Sequence, residues 1–433
     1  MFELFKTDFY QLSMTTAYIL SNHANDLTGF ECFVRRVKKQ TNPTEQYYLF
    51  QQKELVDNAM ECIRKELAEP KLFYVFWEII KHKTDEKFYE SLKELWRTLK
   101  TDFTYNVLPN NSLIKPFIPV FQYSGPRWVG QILETYVLNL INGKIGLDTY
   151  KECYKINEES PIYKMMHDVV YGNKESQNYQ DYLEKVKTRL KEYRDSTSSI
   201  LLEAGFRRAP GFNIALDVSV LSKEYGWNGT SNVSASMGNN VPSEYIGGSC
   251  AHAFIMSYET ELEAFENWNN IYPNSTILID TYDTKEAIKK LVDANIKPSD
   301  VRIDSEPLDD LAFMVREILD KKGWTDVGIF LSGDLTPEKL KEYHDRKVPF
   351  NKCMAGTKLL NLDEMNGVNT GLVYKLVEYE RNGKTYFPEK KSTNKGSIAR
   401  LKKVIVDYNG YHFEHGFDLS QVKDLEPDMQ LVG

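Results

Sequence analysis

Cysteine is scarce in this chain, and none of the five cysteines belongs to a CxxC pair. They are scattered over positions 32, 62, 153, 250 and 353. An odd and scattered set favours reduced thiols over a disulfide framework or a zinc site. The first residues also lack a basic stretch followed by an apolar one, which is the pattern of a secretory leader. We therefore expect a cytoplasmic protein.

Long apolar runs and an excess of positive charge are lacking as well. No run approaches the ~18 residues that indicate a membrane span. The net charge of −8 argues against broad nucleic-acid binding. With 433 residues, 42% hydrophobic and 27% charged, the chain has a globular composition and enough length for two domains. We expect its partners to be small molecules, with no nucleic acid and no membrane.

What the sequence does contain is a repeated plan near residue 300. A short apolar run ends in acidic or small polar residues and is followed by a segment with helical periodicity. The runs are 275–280, 301–304 and 327–333, the helical segments are 284–292, 308–319 and 337–343, and a fourth, weaker run ends at 355–357. Buried strands that alternate with amphipathic helices indicate βα units of a parallel sheet.

The sheet could be closed or open. In a closed barrel, the polar residues at the strand ends converge on the carboxyl-terminal face, where such barrels carry their chemistry. An open doubly wound sheet also gathers them at one edge. Both alternatives predict an α/β enzyme.

Sequence typical of antiparallel strands flanks the βα units on both sides. Residues 103–124 are aromatic and β-branched, and 372–384 alternate with period two around an Asn-Gly turn. A second α+β domain built from both chain ends accounts for this arrangement. We predict its first part at 1–125, a barrel at 126–365 with a helical insertion near 143–195, and a returning segment at 366–433.

Nine short motifs follow one another in a recognisable order. They are 6–14 (KTDFYQLSM), 31–36 (ECFVRR), 203–211 (EAGFRRAPG), 229–232 (GTSN), 248–252 (GSCAH), 279–283 (IDTYD), 302–305 (RIDS), 332–334 (SGD) and 355–357 (AGT). The series resembles the nicotinate phosphoribosyltransferase family, with nicotinamide phosphoribosyltransferase as a near relative. The resemblance runs from residue 6 to about residue 400.

The resemblance implies an activity and an architecture. The implied enzyme joins nicotinic acid to phosphoribosyl pyrophosphate (PRPP), forming nicotinate mononucleotide and pyrophosphate in NAD biosynthesis. It couples this reaction to ATP hydrolysis and requires Mg²⁺. The implied fold is an irregular parallel α/β barrel of the type II phosphoribosyltransferase kind with a smaller α+β domain, in a homodimer with shared active sites.

Strand-end residues are suited to the ribose and the phosphates. Asp304 and Asp334 have the chemistry to hold ribose hydroxyls, although each also precedes a helix and could cap it instead. Small residues at strand ends expose backbone N–H groups to a 5′-phosphate, as barrels do. These residues are Ser332, Gly333, Gly356 and Thr357. Ordinary βα turns are the alternative.

The resemblance also assigns residues to the pyridine ring and the phosphates. Tyr10 offers a ring face and, with Asp8, is expected to come from the neighbouring subunit. Arg302 can meet the ring carboxylate through a planar charge-assisted contact, and at least one arginine of the pair 207–208, with Arg207 as the candidate, is expected to face the same pocket. The tandem arginines Arg35 and Arg36 correspond to phosphate-binding residues, or else lie on a solvated strand edge.

His252 is expected to be phosphorylated by ATP, because the resemblance places it at the family's phosphohistidine. A neutral imidazole is a nucleophile near pH 7, and a carboxylate can orient its ring. Asp280 is the expected orienting partner, with Asp283 second. A buried structural histidine is the alternative.

One motif departs from the family pattern, and other functions remain open. The family expects Arg-x-Asp-Ser-Gly-Asp, whereas this chain has Glu306-Pro307 after Ser305, so a second acid is missing unless Glu306 replaces it. The closest alternative is nicotinamide phosphoribosyltransferase, in which Glu203 would accept hydrogen bonds from the amide. A barrel glycosidase also uses strand-end carboxylates. A relative that binds nucleotide metabolites without turnover is a further alternative.

Overall fold

The computed structural model describes residues 2–36, 48–152, 155–238, 241–365, 367–389, 398–407 and 410–415, with the backbone alone described from 404 onwards. The helices are α1 (Phe9–Leu20), α2 (Lys53–Leu67), α3 (Leu72–Ile80), α4 (Tyr89–Trp96), α5 (Arg127–Glu152), α6 (Pro161–Tyr171), α7 (Gln177–Ser196), α8 (Phe212–Glu224), α9 (His252–Met256), α10 (Glu261–Ile271), α11 (Thr284–Asp293), α12 (Leu308–Lys321), α13 (Pro337–Asp345) and α14 (Thr357–Leu360). The strands are β1 (Leu27–Phe33), β2 (Tyr48–Phe50), β3 (Thr104–Val107), β4 (Ser112–Ile114), β5 (Pro119–Pro126), β6 (Ile200–Glu203), β7 (Gly229–Thr230), β8 (Thr276–Leu278), β9 (Asp300–Ile303), β10 (Gly328–Leu331), β11 (Lys352–Ala355), β12 (Val373–Arg381), β13 (Lys384–Tyr386), β14 (Lys402–Asp407) and β15 (Gly410–His415).

The predicted βα units are present, and local sequence explains where they begin. β8, β9 and β10 are followed by α11, α12 and α13. The Asp283 carboxylate accepts the N–H of Glu286 (2.9 Å) and so caps α11, while Thr336 caps α13 through Lys339 N–H. The apolar faces of these helices are buried against the sheet. The α/β fold class predicted from the sequence is confirmed.

Six strands form one parallel sheet in the order β7-β6-β11-β10-β9-β8. The first strand of the set, β6, pairs with the last, β11, so that Ile200 lies beside Lys352 and Glu203 beside Ala355. The sequential neighbours β8 to β11 continue round the other side. This is the circular order of a barrel, not the order reversal of a doubly wound sheet.

The described strands leave the barrel unclosed between β7 and β8. The chain between these two strands forms α9 and α10. On the free side of β7, the described residues show a parallel bridge between Thr230 and Ile246. The curled sheet is therefore a half-barrel. α9, which begins at His252, lies in the opening of the circle.

A five-stranded antiparallel sheet combines both parts of the sequence that flank the βα units. Its order is β13-β12-β1-β5-β3, in which β1 pairs with both β12 and β5. The β12–β13 hairpin turns at Asn382 and Gly383, both with positive φ, as the Asn-Gly pair predicts. The long helix α5, buried over most of its length, follows β5 directly.

The region near 143–195 is mainly helical. α5 extends further than its apolar segment 131–141 predicts and reaches Glu152. The insertion then contributes α6 and α7, each capped by a serine, Ser160 and Ser176. Cys153 lies outside the described residues, and Cys32, Cys62, Cys250 and Cys353 are free thiols. In the described ranges, no helix is both long enough and apolar enough to cross a membrane.

A buried ion pair attaches the start of β14 to the antiparallel sheet. Glu31 of β1 and Lys402 have side-chain exposures of 0% and 1%, and the Lys402 ammonium contacts the Glu31 carboxylate. That carboxylate also accepts the Lys402 backbone N–H (2.9 Å) and the Gln122 amide (2.9 Å). Removal of one partner of such a pair destabilises the folded protein, because the remaining buried charge has no water to solvate it.

We predict that Lys402→Met lowers the free energy of unfolding by about 3–5 kcal/mol, because it leaves the Glu31 carboxylate buried without its cation. Urea unfolding followed by circular dichroism measures the change. Lys403→Met is the matched control, since the neighbouring side chain is exposed. Equal unfolding midpoints for the two variants would contradict the assignment.

Candidate active site

A cavity of about 1310 Å³ lies inside the curled sheet and opens at the carboxyl ends of its strands. Most of the candidate residues line it: Tyr10, Arg35, Arg36, Glu203, Arg207, His252, Arg302, Asp304, Gly333, Asp334, Gly356 and Thr357. Asp8, Asp280 and Ser332 lie behind this lining and contact it. Alternate residues of a strand point to the same face, which explains why Arg302 and Asp304 both face the cavity.

His252 lies between two strand ends. Its Nδ1 is 3.1 Å from Thr281 Oγ1, and its Nε2 is 3.6 Å from Asp304 Oδ2. The two expected orienting partners make other contacts: Asp280 accepts the backbone N–H of Asp304 (3.0 Å), and Asp283 caps α11. An orienting role for Asp280 stays a prediction. The ring is therefore oriented by a hydroxyl on one side and by the carboxylate of Asp304 on the other.

Asp304 is held on three sides and caps no helix. Its Oδ1 accepts a hydrogen bond from the Ser332 hydroxyl (2.8 Å), its Oδ2 faces His252, and its backbone N–H is held by Asp280. The N-cap positions of α12 and α13 are Pro307 and Thr336. The capping alternative for Asp304 and Asp334 is therefore wrong. Asp334 is exposed at the rim of the cavity and has a φ of 40°.

Glycine is required at two strand ends, where the backbone passes very close to the backbone of the neighbouring strand end. Gly333 has φ 103°, and a Cβ there would lie 2.8 Å from the Asp304 carbonyl oxygen. A Cβ on Gly356 would lie 2.4 Å from the Ala204 carbonyl oxygen. Any side chain at either position would push the strand ends apart, so the narrow rim of the cavity depends on both glycines.

Arginines hold the segment that carries His252 at two places. Arg302 Nη2 donates to the Cys250 carbonyl (3.0 Å), just before α9. After α9, Arg127 Nη1 (3.1 Å) and Arg381 Nη2 (2.8 Å) both donate to the Ser257 carbonyl. Asp26 lies 2.9 Å from each of the latter two guanidinium groups. These buried ion pairs join the antiparallel sheet to the helix of His252.

Tyr10 lines the cavity of its own chain, and Asp8 lies behind that lining. The buried Asp8 carboxylate accepts from Thr135 Oγ1 (2.7 Å) and Ser231 Oγ (2.6 Å), and burial raises its pKa. The Arg207 guanidinium lies 6.0 Å from the Tyr10 ring centroid, and burial raises the pKa of the Tyr10 hydroxyl. Their contribution to a neighbouring subunit remains a prediction.

Glu134 is a cavity residue that the motifs did not reveal. Its Oε1 is 2.9 Å from Arg207 Nη1, and its Oε2 accepts from Gln11 Nε2 (2.8 Å). It lies on α5, in a run that reads from sequence as an apolar helix. A glutamate within an apolar run was the signal available in the sequence. It indicates a buried charge with a partner, because charges are seldom buried without one.

Positive charge is concentrated on the same wall of the cavity. Arg35, Arg36, Arg207 and Arg208 line it, and Arg208 also donates to the Leu372 carbonyl. Burial, aided by the neighbouring Arg207, lowers the pKa of Arg35 and of Arg208 to about 10. Arg36 is exposed at the rim. This wall attracts an anionic ligand.

Glu306, which follows Ser305 where the family motif has glycine, lines the cavity, and both of its carboxylate oxygens are engaged by its own chain. Its Oε2 accepts the Leu308 N–H (3.1 Å) at the start of α12, and its Oε1 contacts the Lys339 ammonium on α13. The residue thus links the loop after β9 to α13.

Glu203 is fully buried and already accepts three hydrogen bonds from its own chain. Its carboxylate accepts from the Thr230 hydroxyl, the Ser219 hydroxyl (2.9 Å) and the Gly205 N–H (2.5 Å). Burial raises its pKa to about 7. These contacts tie β6, β7 and α8 together.

The comparisons with known proteins agree with this geometry. The chain is 30% identical over 210 residues to a nicotinate phosphoribosyltransferase of Mycobacterium tuberculosis, covering 47% of this chain and 44% of that protein. It is 24% identical to the nicotinate phosphoribosyltransferase of Caenorhabditis elegans, covering 98% of this chain and 78% of that protein. No family model matches. The chain thus spans less than half the length of the first curated relatives it matches.

Solved structures show the same fold. The nicotinate phosphoribosyltransferase of Porphyromonas gingivalis superposes with a TM-score of 0.65 at 17% identity, covering 91% of this chain and 95% of that one. That of Vibrio cholerae gives 0.63 at 15% identity, covering 91% and 90%. The chain thus resembles nicotinate phosphoribosyltransferases in part of its sequence and shares the fold of these solved structures.

The titration of Glu203 gives stability a defined pH dependence. The folded protein holds the Glu203 proton more tightly than the unfolded chain, because the pKa rises from 4.5 to about 7 on folding. This contribution is fully present below pH 4.5 and is lost as the pH rises to about 7. We predict that between these values the free energy of unfolding of the wild type falls relative to that of Glu203→Gln.

Urea unfolding at a series of pH values measures this difference. Glu266→Gln, which changes an exposed glutamate, is the control. Parallel pH profiles for the wild type and Glu203→Gln would show that Glu203 does not titrate in this window.

Proposed function

We propose that this chain is a nicotinate phosphoribosyltransferase that forms nicotinate mononucleotide and pyrophosphate from nicotinate and PRPP in NAD salvage, with ATP hydrolysis coupled to turnover. The observation that carries the proposal is the contact of His252 with Asp304 beside two glycine turns in one strand-end cavity. The curated relatives carry this name. The proposal places the protein in the cytoplasm.

The proposed reaction forms a bond from the pyridine nitrogen to the anomeric carbon of the ribose while the bond to pyrophosphate breaks. Positive charge builds on the sugar as negative charge builds on the leaving group. Asp304 and Asp334 lie on the side of the ribose, where fixed carboxylates stabilise the first charge. Arg35 and Arg36 stabilise the second.

The 5′-phosphate is assigned to the two glycine turns, which we call the phosphate loops (332–334 and 356–357). Gly333 and Gly356 let the backbone come close to the ligand, and Ser332 and Thr357 add hydroxyls. The first loop adjoins Asp304 and the second lies one strand further round the sheet, so a phosphate held by the loops sets the ribose on the side of this carboxylate.

The pyridine ring is assigned to the wall around Tyr10 and Arg207. Tyr10 supplies an aromatic face, and Asp8 fixes the turn from which that residue projects. Arg302 is assigned to the ring carboxylate, and its contact with the Cys250 carbonyl orients its guanidinium. A nicotinate bound here would link the pyridine site to the segment of His252.

Mg²⁺ and ATP complete the proposed chemistry. Among the described residues, no group of three or more His, Cys, Asp or Glu side chains could hold a metal. This fits Mg²⁺, which usually takes one or two carboxylates and the oxygens of its phosphate ligands. Asp304 would be its carboxylate ligand, and Asp280, with a buried Oδ1 that has no hydrogen-bond partner, stands behind it. When bound, Mg²⁺ neutralises the charge of pyrophosphate.

The contacts of Glu203 within its own chain favour nicotinate over nicotinamide. The amide alternative requires a carboxylate that accepts hydrogen bonds from the ligand, but the Glu203 oxygens already accept from Thr230, Ser219 and Gly205. The arginines of the cavity match the negative carboxylate of nicotinate instead.

Incubation with PRPP, Mg²⁺ and each pyridine base, with and without ATP, tests the proposal. Chromatography and mass spectrometry identify the product. We expect nicotinate mononucleotide, with faster synthesis when ATP is present. Preferential formation of the nicotinamide nucleotide would support the rival activity, and PRPP binding without any product would support a binding protein.

His252 is the proposed site of phosphorylation by ATP. The γ-phosphorus would bond to an imidazole nitrogen as its bond to ADP breaks. Nε2, which faces Asp304 and the cavity, is the assigned nucleophile, because Nδ1 lies against Thr281. We predict that His252→Ala abolishes ATP stimulation and the acid-labile phosphoenzyme while slow ATP-independent synthesis persists.

Labelling with γ-³²P ATP followed by peptide mapping checks this prediction. His167→Ala is the control, since this histidine is half exposed on α6, outside the cavity lining. Label on another residue, or unchanged ATP stimulation in His252→Ala, would remove His252 from the coupling.

We further propose a homodimer in which the smaller domain, formed by 1–125 and 366–433, borders the neighbour's barrel domain at 126–365. If Tyr10 and Asp8 serve the neighbour's site, then mixing inactive Tyr10→Ala with inactive Asp304→Ala protein restores part of the activity, because one site of each heterodimer is intact. Subunit exchange followed by the nucleotide assay measures this. Heterodimers that form but stay inactive would show that each chain uses its own Tyr10.

A further inference from the structure

Two tyrosines of α7 donate hydrogen bonds to the backbone next to the loops that border the cavity. The Tyr193 hydroxyl donates to the Leu335 carbonyl (2.7 Å), one residue after the first phosphate loop. The Tyr182 hydroxyl donates to the Leu360 carbonyl (2.6 Å), at the end of the short helix that follows the second. Both tyrosine side chains are fully buried.

The spacing on α7 explains how one helix reaches both loops. Positions 182 and 193 are eleven residues apart, which is about three turns, so both side chains lie on one face of the helix. α7 packs on α13 and α14, the helices that follow these loops. Trp227 Nε1 donates to the Leu190 carbonyl (3.1 Å), which fixes the same helix to the chain that enters β7.

We infer that α7 is a buttress for the phosphate loops and that Tyr182 and Tyr193 are positioning residues for PRPP. The inference rests on the proposed function, which assigns the 5′-phosphate to these loops, and it gives the helical insertion a role. Each hydroxyl fixes a backbone carbonyl next to one of the two loops. Loss of a hydroxyl would let one phosphate loop fluctuate and would weaken the ligand that both loops hold.

Substitution by phenylalanine removes each hydroxyl and keeps the ring in the core. We expect Tyr193→Phe and Tyr182→Phe each to raise the KM for PRPP about three- to tenfold, the effect of losing one buried hydrogen bond. The kcat at saturating PRPP is expected to stay near the wild-type value, because such a loss affects the bound ligand and the transition state alike. The double variant is expected to show roughly the product of the two effects.

Tyr179→Phe is the matched control. Tyr179 is a buried tyrosine of the same helix, but its hydroxyl donates to Asp217 on α8 (2.7 Å), away from the loops. It is expected to leave both kinetic constants unchanged while losing a comparable hydrogen bond. An equal rise in the KM for PRPP in Tyr179→Phe, or no rise in the other two variants, would overturn the inference.

Hydrogen exchange distinguishes a failure of this inference from a failure of the proposed function. Mass spectrometry of the peptides that contain 332–336 and 356–361 measures the exchange rates of the loop amides directly and does not require catalytic turnover. Faster exchange there in Tyr193→Phe and Tyr182→Phe, but not in Tyr179→Phe, supports the buttress. Unchanged exchange overturns it. A wild type that makes no nucleotide would overturn the proposed function, and the exchange result would still decide whether α7 holds the loops.

Discussion

The pairing of β6 with β11 is the contact on which the site depends. It joins strands about 150 residues apart in the sequence, from the register of Ile200 with Lys352 to that of Glu203 with Ala355. The Ala204 N–H then donates to the Ala355 carbonyl (2.9 Å), which continues the ladder to the cavity rim. Without this pairing the segment of Arg207 and Arg208 would not face the segment of Asp304 and Asp334. The curl of the sheet is thus the origin of the composite cavity.

Much of this architecture was predictable because its signals are local. The βα units follow from apolar runs and helical periodicity, and the β12–β13 turn follows from Asn382-Gly383. The half-barrel shape was not decided by these signals. An open sheet uses the same strands and helices, and the choice between the two depends on the pairing of β6 with β11, which leaves no local mark.

The candidate site was predictable in its members but not in their contacts. The motifs assigned His252, Asp280 and Asp304 to one candidate site with Asp280 as the expected partner of the ring, whereas the carboxylate opposite Nε2 is that of Asp304. The relative stagger of β8 and β9 determines which strand-end carboxylate lies next to the imidazole ring. The Asp280 carboxylate accepts a hydrogen bond from the Asp304 backbone N–H. Likewise, Thr135 and Ser231 bind Asp8 from 127 and 223 residues away. Contacts at such distances arise from the tertiary fold, so a single sequence does not reveal them.

The gap between β7 and β8 also has a mechanical consequence. A residue inside a hydrogen-bonded ladder cannot shift without disturbing its neighbours on both sides, whereas α9 is held at its two ends by guanidinium–carbonyl contacts. Contacts of this kind can turn about the carbonyl oxygen, because several N–H groups of a guanidinium can replace one another. The segment of His252 is thus attached at both ends by hydrogen bonds from arginine side chains. Under the proposed function, such a mounting would let the segment accept the bulk and charge of a phosphoryl group while the strands assigned to the ribose stay in register.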